Sequence, residues 1–122
     1  MTIVIQSRER IRDTAKPSAL GEEVVLIECP DQEDDYIIEG YIDLSQMQDG
    51  DEVTIIELIA VDGQTHQPYC VVTFTDKQRE PVVRLHTKTI IKDGKYKVIL
   101  RQDKGTLREF PYYFIRLNYG SV

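Results

Sequence analysis

Apolar and polar positions alternate along most of the chain, which is the period of a β-strand and not of a helix. The clearest case is the segment 95–102, where Tyr96, Val98 and Leu100 alternate with mostly polar neighbours. Short runs rich in Val, Ile, Tyr, Phe and Thr are separated by Gly, Asp, Asn and Pro, as is typical of strands joined by turns. These runs predict strands at residues 23–29, 36–44, 52–61, 68–75, 81–91, 95–102 and 108–118.

Turn signals and one proline refine this pattern. Asp-Gly pairs at 49–50, 62–63 and 93–94 mark turns, because glycine supplies the positive φ that a tight turn needs. The run 53–61 is apolar on both faces, which predicts a central strand. Pro111 falls inside the last run, and the missing N–H of proline predicts that this strand is an edge or carries a bulge.

The first twenty residues follow another pattern. Residues 2–5 could form a short strand, but residues 6–16 contain a single large apolar side chain, Ile11. A helix there would have no buried stripe to hold it. We therefore expect residues 1–20 to form an N-terminal arm that only contact with another surface orders, and residues 21–122 to form one β-sandwich domain.

Seven or eight predicted strands and no predicted helix indicate an all-β antiparallel sandwich. The chain has no Trp, so the marks of an immunoglobulin domain are absent, and a jelly-roll-like arrangement is favoured over an immunoglobulin-like one. Alternation with polar neighbours selects the expected core. Its predicted members are Val72, Phe74, Tyr96, Val98, Leu100 and Phe114.

Charge is distributed unevenly over the 122 residues, whose net charge is −6. That balance argues against nucleic acid as a partner, since phosphate binding depends on clustered Lys and Arg. Residues 21–52 hold twelve acids and no Lys or Arg, while residues 1–20 carry a net +2. Two interpretations stay open: the acids pair with basic strands of the same fold, or they meet the basic face of a neighbouring molecule.

Membrane segments, targeting signals and cysteines limit the cellular compartments in which the protein is expected. No apolar run approaches the roughly 18 residues that a membrane helix needs, so no membrane partner is expected. The apolar stretch at the N-terminus is too short for a secretory signal, which predicts a cytoplasmic or virion protein. Cys29 and Cys70 are too few for a disulfide scaffold, and we expect both thiols to be free.

Catalytic chemistry has few candidates in this sequence. Cys29 or Cys70 could pair with His66 or His86 as a nucleophile and base, and the same four residues could bind zinc. The close-spaced ligand pairs of zinc sites are missing, and Cys70 alternates with predicted core residues, so a structural role is favoured. We predict no catalytic residue, no cofactor and no metal.

An acidic run at 31–35 is a candidate cation loop. It contains Asp31, Glu33, Asp34 and Asp35, and carboxylates are the ligands that Ca²⁺ prefers. The glycine that follows the acids in a calcium-binding loop is absent here. The run is therefore interpreted as a solvated acidic loop.

Aromatic residues cluster in the last predicted strand. Phe110, Tyr112 and Phe114 share one face, and Tyr113 and Tyr119 share the other. An exposed aromatic face can stack sugars or bases; the favoured interpretation is that one face lies in the core and the other packs on a partner protein. Together with the basic arm and the acidic run, this gives the candidate interface residues Arg8, Arg10, Arg12, Asp31, Glu33, Asp34, Asp35, Tyr113 and Tyr119.

Two stretches carry a resemblance to a known group of proteins. They are GYIDLSQMQDGDEVTIIELIAVDG at 40–63 and GKYKVILRQDKGTLREFPYYFI at 94–115. Their pattern resembles that of small all-β structural proteins of tailed phages, prophages and archaeal viruses, over roughly residues 36–117. The resemblance transfers no catalytic or ligand residue, and it implies a particle component that assembles through its surface.

The function expected from the sequence is therefore non-enzymatic. The chain is expected to be a self-associating or docking β-sandwich, as a homo-oligomer or on a larger assembly such as a virus particle, whose arginine-bearing arm meets a neighbour's acidic segment. The alternative is a ligand-binding module for Ca²⁺ or a glycan, or a small enzyme, with its site in the loops.

Overall fold

The computed structural model describes residues 3–29 and 34–121, with side chains for residues 7–29 and 34–119. The described residues form no helix, and so none that could span a membrane. The prediction of an all-β fold is confirmed. The strands are β1 (Ile3–Ala15), β2 (Glu23–Cys29), β3 (Tyr36–Asp43), β4 (Glu52–Ala60), β5 (Gln67–Thr75), β6 (Val82–Ile90), β7 (Lys95–Lys104) and β8 (Phe110–Ser121).

The strands form two four-stranded sheets, in the orders β1-β8-β3-β6 (the first sheet) and β2-β7-β4-β5 (the second sheet). All pairs are antiparallel, and they include β1 with β8, β2 with β7, β3 with β6 and β4 with β5. That set of pairs is what one long antiparallel hairpin gives when it folds over itself, and it fits the jelly-roll-like preference. The antiparallel sandwich predicted from the sequence is confirmed.

The core lies between the two sheets, where alternate residues of each strand point inward. Four of the predicted core residues, Tyr96, Val98, Leu100 and Phe114, are fully buried. Gly40 in β3 lies directly against the ring of Phe114, since a Cβ there would stand 2.3 Å from a ring carbon. The fully buried large side chains also include Tyr36, Ile38, Ile42, Leu44, Met47, Val53 and Phe110.

The inward face of β5 is less buried than its alternation predicts. Val72, expected in the core, is exposed, and Phe74 and Cys70 are only half-buried. The reason is topological: β5 and β6 are the edge strands of their sheets, and a cleft of about 220 Å³ opens between them. The period of a strand identifies its two faces, but it does not show whether another element covers one of them.

Residues 3–15 form an edge strand, longer than the short strand considered at 2–5. β1 pairs along its whole length with β8 of the same chain, with one irregularity between Ile5 and Ser7. Contact with β8 therefore orders the basic segment. Among the described side chains of β1, from Ser7 onward, Ala15 joins the core and Ile11 packs against it, and a separable arm over 1–20 stays a prediction.

Pro111 does not have the effect that the sequence suggested. β8 is an inner strand between β1 and β3, and its only irregularity against β1 lies elsewhere. The pairing of β8 with β3 begins at Tyr112. Pro111 thus lies at the start of the strand, outside the ladder with β3, where a missing N–H costs little.

Candidate protein interface

Three predicted interface residues lie side by side on the outer surface of the first sheet. Arg8, Arg10 and Arg12 alternate along β1 with the inward Glu9 and Ile11, and all three arginines are exposed. Their spacing of two residues places them on one face of a strand. No carboxylate of the described residues forms an ion pair with any of these arginines, so the positive charge of the row is not neutralised by a direct contact among them.

An apolar stripe borders this arginine row. The register places Arg8 beside Leu117, Arg10 beside Ile115 and Arg12 beside Tyr113. On the next strand, β3, Ile37 and Tyr41 continue the stripe on either side of Glu39, which the register places beside Ile115. We call the combined surface the Arg–Tyr face; its members are Arg8, Arg10, Arg12, Ile37, Tyr41, Tyr113, Ile115 and Leu117.

Tyr113 stands near the middle of the Arg–Tyr face. Its side chain is 40% exposed, and its ring centroid lies 5.2 Å from that of Tyr41, with the planes tilted by 32°. A tyrosine pair of this kind supplies rigid contact area with a polar edge. Large aromatic and arginine side chains are also the types enriched where proteins bind one another.

The surface of the Arg–Tyr face contains two depressions. One, of about 390 Å³, lies over the start of β8 and is lined by Arg12, Tyr41, Pro111 and Tyr113, among others. The second, of about 500 Å³, lies between β1 and β8 and is also lined by Arg12 and Tyr113. Arg12 and Tyr113 therefore border both hollows, into which partner side chains could fit.

On the β3–β6 part of the same outer surface, positive and negative side chains pair with each other. Arg84 of β6 lies beside Tyr41 in the register, and its guanidinium is 3.5 Å from the carboxylate of Glu39. The hydroxyl of Thr87 donates a hydrogen bond of 2.6 Å to the same carboxylate. Unpaired positive charge on this surface thus concentrates along β1.

Tyr119 and the described part of the acidic run, Asp34 and Asp35, lie at one end of the sandwich. The Tyr119 N–H donates to the carbonyl of Asp35 over 3.1 Å, and the Asp35 carboxylate accepts from the Lys92 N–H at 2.7 Å. The Asp34 carboxylate accepts from the Asp35 N–H at 2.8 Å. Asp31 and Glu33 lie outside the described residues. Both described carboxylates thus accept hydrogen bonds from nearby backbone N–H groups, and the interpretation of the run as a solvated acidic loop, with Ca²⁺ binding as the alternative, stays a prediction.

The cysteines and histidines do not assemble a recognisable site. Cys29 is fully buried on β2, while Cys70 and His86 both line the cleft between β5 and β6. Within residues 3–29 and 34–121, no group of three His, Cys, Asp or Glu side chains is placed to hold a metal. Both described thiols are free.

Alkylation of the native protein is expected to label Cys70 much faster than Cys29. Burial raises the pKa of Cys29, and the reactive thiolate is therefore scarce as well as inaccessible. Mass spectrometry after a short treatment with iodoacetamide should find one label, and a second only after unfolding. A Cys70→Ser variant should take up no label while native; equal labelling of both thiols, or a native disulfide, would contradict the assignment.

Several members of the Arg–Tyr face are not recognisable as such from the sequence. The sequence alone gives no sign that four of them differ from ordinary strand residues: Tyr41, Ile37, Ile115 and Leu117. The alternation within YIIEGYID and FPYYFIRL does sort each strand into two faces. Which face is outward, and which strand neighbours which, depends on long-range pairing.

Among solved structures, the chain is similar to the crystal structure of the infectious bursal disease virus VP2 subviral particle, with a TM-score of 0.48 and 9% sequence identity. The likeness covers 92% of this chain and 33% of the other, so this chain spans about a third of that protein's length. A likeness at that TM-score and identity carries no argument about function. No protein-family model and no curated protein matches the sequence.

Proposed function

We propose that this chain is a non-enzymatic structural protein that self-associates, or docks on a larger assembly such as a virus particle, through its Arg–Tyr face. The observation that carries the proposal is the row of three arginines without an ion pair beside a partly exposed apolar stripe on one face of the first sheet. Such a surface combines apolar area for affinity with charge for register.

The partner surface is expected to be acidic. The chain has a net charge of −6 and places twelve of its acids within residues 21–52, so a second copy offers the opposite charge to the arginine row. Complementary potentials of this kind speed up encounter and disfavour wrong partners. The viral resemblance of segments 40–63 and 94–115 supports the same kind of role, as does a strand pairing typical of jelly-roll sandwiches.

Replacing Arg8, Arg10 and Arg12 together by Gln should weaken association and leave the fold intact. The three side chains are exposed, so the free energy of unfolding should change by less than about 1 kcal/mol. Light scattering during gel filtration at 0.1 M NaCl should show a lower mass at a given concentration. Wild type should shift in the same direction at 1 M NaCl, because the Debye length falls from about 10 Å to about 3 Å.

A matched control removes the same charge elsewhere. Lys16, Lys92 and Lys104 are exposed and lie outside the Arg–Tyr face, so replacing all three by Gln should leave the association of the wild type unchanged. Equal effects of the two triple variants would refute a specific face. A wild type that is monomeric at every salt concentration, and that melts higher with CaCl₂ or a glycan, would favour the ligand-binding alternative.

A further inference from the structure

The four edge strands of the sandwich differ in how they are protected. An edge strand presents unpaired N–H and C=O groups, and proteins usually prevent unwanted pairing there with charged side chains, prolines or bulges. β1, β2 and β6 each carry at least two charged residues. β5, with the sequence QPYCVVTFT, carries none.

The features of β5 that hinder pairing at its free edge lie at its N-terminal end. Pro68 is its second residue, and the irregularity against β4 falls between Glu57 and Leu58, opposite Pro68. From Cys70 to Thr75 the pairing with β4 is regular. The free edge of this stretch therefore presents a regular row of main-chain N–H and C=O groups with no charged side chain beside them.

Side chains on both faces of β5 are apolar and accessible. Val71 is 56% exposed on the outer face, and Val72, which borders the cleft, is exposed as well. In the second sheet, Val25, Ile99 and Ile56 lie in register with Val71 and form one apolar row across all four strands. That row ends abruptly at the free edge.

We propose that β5 pairs with β5 of a second copy of this chain, antiparallel and about a two-fold axis at Val71 or Val72, joining two second sheets into one of eight strands. A two-fold axis opposes identical segments, which is unfavourable when like charges meet and acceptable here because β5 has no charge. The pairing satisfies the free main-chain groups, continues the apolar row across the axis, and leaves neither β5 edge open.

The flanks of β5 support this occupant. Antiparallel pairing brings the β4–β5 turn of one copy alongside the β5–β6 loop of the other. The turn exposes Asp62, whose carboxylate accepts hydrogen bonds from the N–H groups of Gln64 and Thr65. The loop exposes Lys77 and Arg79, and none of these three side chains forms an ion pair within the described residues. The same loop also holds two acids, Asp76, whose carboxylate accepts a hydrogen bond from the N–H of Gly50, and the exposed Glu80. Opposite charges can thus meet at both ends of the paired strands.

The first test is a charge placed on the edge. At 1 M NaCl, where contacts of the Arg–Tyr face are screened, wild type should scatter light as a particle of twice 14.1 kDa, and Val71→Lys as a single chain. Ile91→Lys is the matched control, because Ile91 is also 56% exposed but lies in the turn after β6. It should keep the dimer.

The second test locates the axis. In a Cys70→Ser background, Val71→Cys and Val72→Cys place one thiol at each candidate position, and only the residue on the axis faces its own copy closely enough for a disulfide. One of the two should form a covalent dimer on mild oxidation, whereas Ile91→Cys should not.

Three results would overturn the β5 proposal: a monomeric wild type at 1 M NaCl, a dimer that Val71→Lys leaves intact, or aggregates that grow without limit as concentration rises. A strand from a different protein would appear as the first of these, since the isolated chain would then be monomeric. The arginine variants test the other sheet at low salt, so either proposal can fail while the other stands.

Discussion

Lys88→Met is expected to lower the free energy of unfolding by about 3–5 kcal/mol, because it leaves a buried carboxylate without its cation. Lys88 in β6 and Glu57 in β4 connect the two sheets: the ammonium lies 2.9 Å from the carboxylate, and the side chains are 9% and 6% exposed. The hydroxyl of Tyr96 donates a hydrogen bond of 2.6 Å to the same carboxylate. Burial and this neighbouring carboxylate both raise the pKa of Tyr96.

The second substitution distinguishes the lost ion pair from lost packing. Adding Glu57→Gln to Lys88→Met removes the unpaired charge while an amide oxygen still accepts from Tyr96, so urea denaturation should show most of the stability restored. Lys97→Met is the control at a more exposed pair, in which Lys97 and Glu28 lie 3.8 Å apart and their side chains are 27% and 58% exposed, and it should cost less than about 1 kcal/mol. If Lys88→Met costs no more than this control, the pair does not stabilise the sandwich.

For strands β2 to β8, most of the predicted ends lie within two residues of the observed ends, because the alternation of apolar and polar residues is a local pattern. β7 is the clearest: residues 95–102 are predicted and Lys95–Lys104 is observed. β1 was not predicted at its full length because its inward positions are largely polar. Glu9 occupies one of them and pairs with Arg116 of β8, a residue too distant in sequence for any local pattern to reveal.

That pairing also explains how a polar strand is held at the edge. The hydrogen bond from Arg116 lowers the pKa of Glu9, which keeps the carboxylate ionised beside its partner. A second contact comes from the Asn118 amide, which donates to the Ser7 hydroxyl over 3.0 Å. Side-chain bonds of this kind substitute for the apolar stripe that the sequence analysis found missing.

The interface candidates were partly predictable for the same reason. A spacing of two residues places Arg8, Arg10 and Arg12 on one side of any strand, and Tyr113 on the side opposite Phe114. Register is not local, so the sequence could not show that Tyr113 lies between Arg12 and Tyr41. The misplacement of Val72 has a similar origin, since only the sheet order makes β5 an edge.

Asp51→Asn is expected to cost about 3 kcal/mol or more at pH 7, because the Asp51 carboxylate connects the β3–β4 loop with the β7–β8 loop at one end of the sandwich. The side chain is 2% exposed. It accepts hydrogen bonds from the N–H groups of Gln48 at 2.9 Å and Thr106 at 3.2 Å, and from the Arg108 guanidinium at 2.8 Å. The neighbouring Gly105, with φ of +93°, lies so close that a Cβ would stand 1.9 Å from an Asp51 oxygen. An asparagine amide would present N–H donors to these donors and leave Arg108 unpaired.

The effect of Asp51→Asn should depend on pH in a defined direction. Burial raises the pKa of Asp51, but the hydrogen bonds from Gln48, Arg108 and Thr106 lower it by more, so the pKa in the folded state lies below its ordinary value. Stability from such a group is complete above the unfolded-state pKa of about 3.9 and is lost as pH falls through the folded-state pKa. Urea denaturation should therefore show a constant difference in the free energy of unfolding between wild type and variant above about pH 5, and a smaller difference in more acidic buffer.

The exposed Asp49 provides the control, because its carboxylate accepts one long hydrogen bond of 3.3 Å from the N–H of Lys77. Asp49→Asn should cost less than about 0.5 kcal/mol at any of these pH values. A difference for Asp51→Asn that stays constant down to the lowest pH would mean that the carboxylate contributes through its shape and not through its charge.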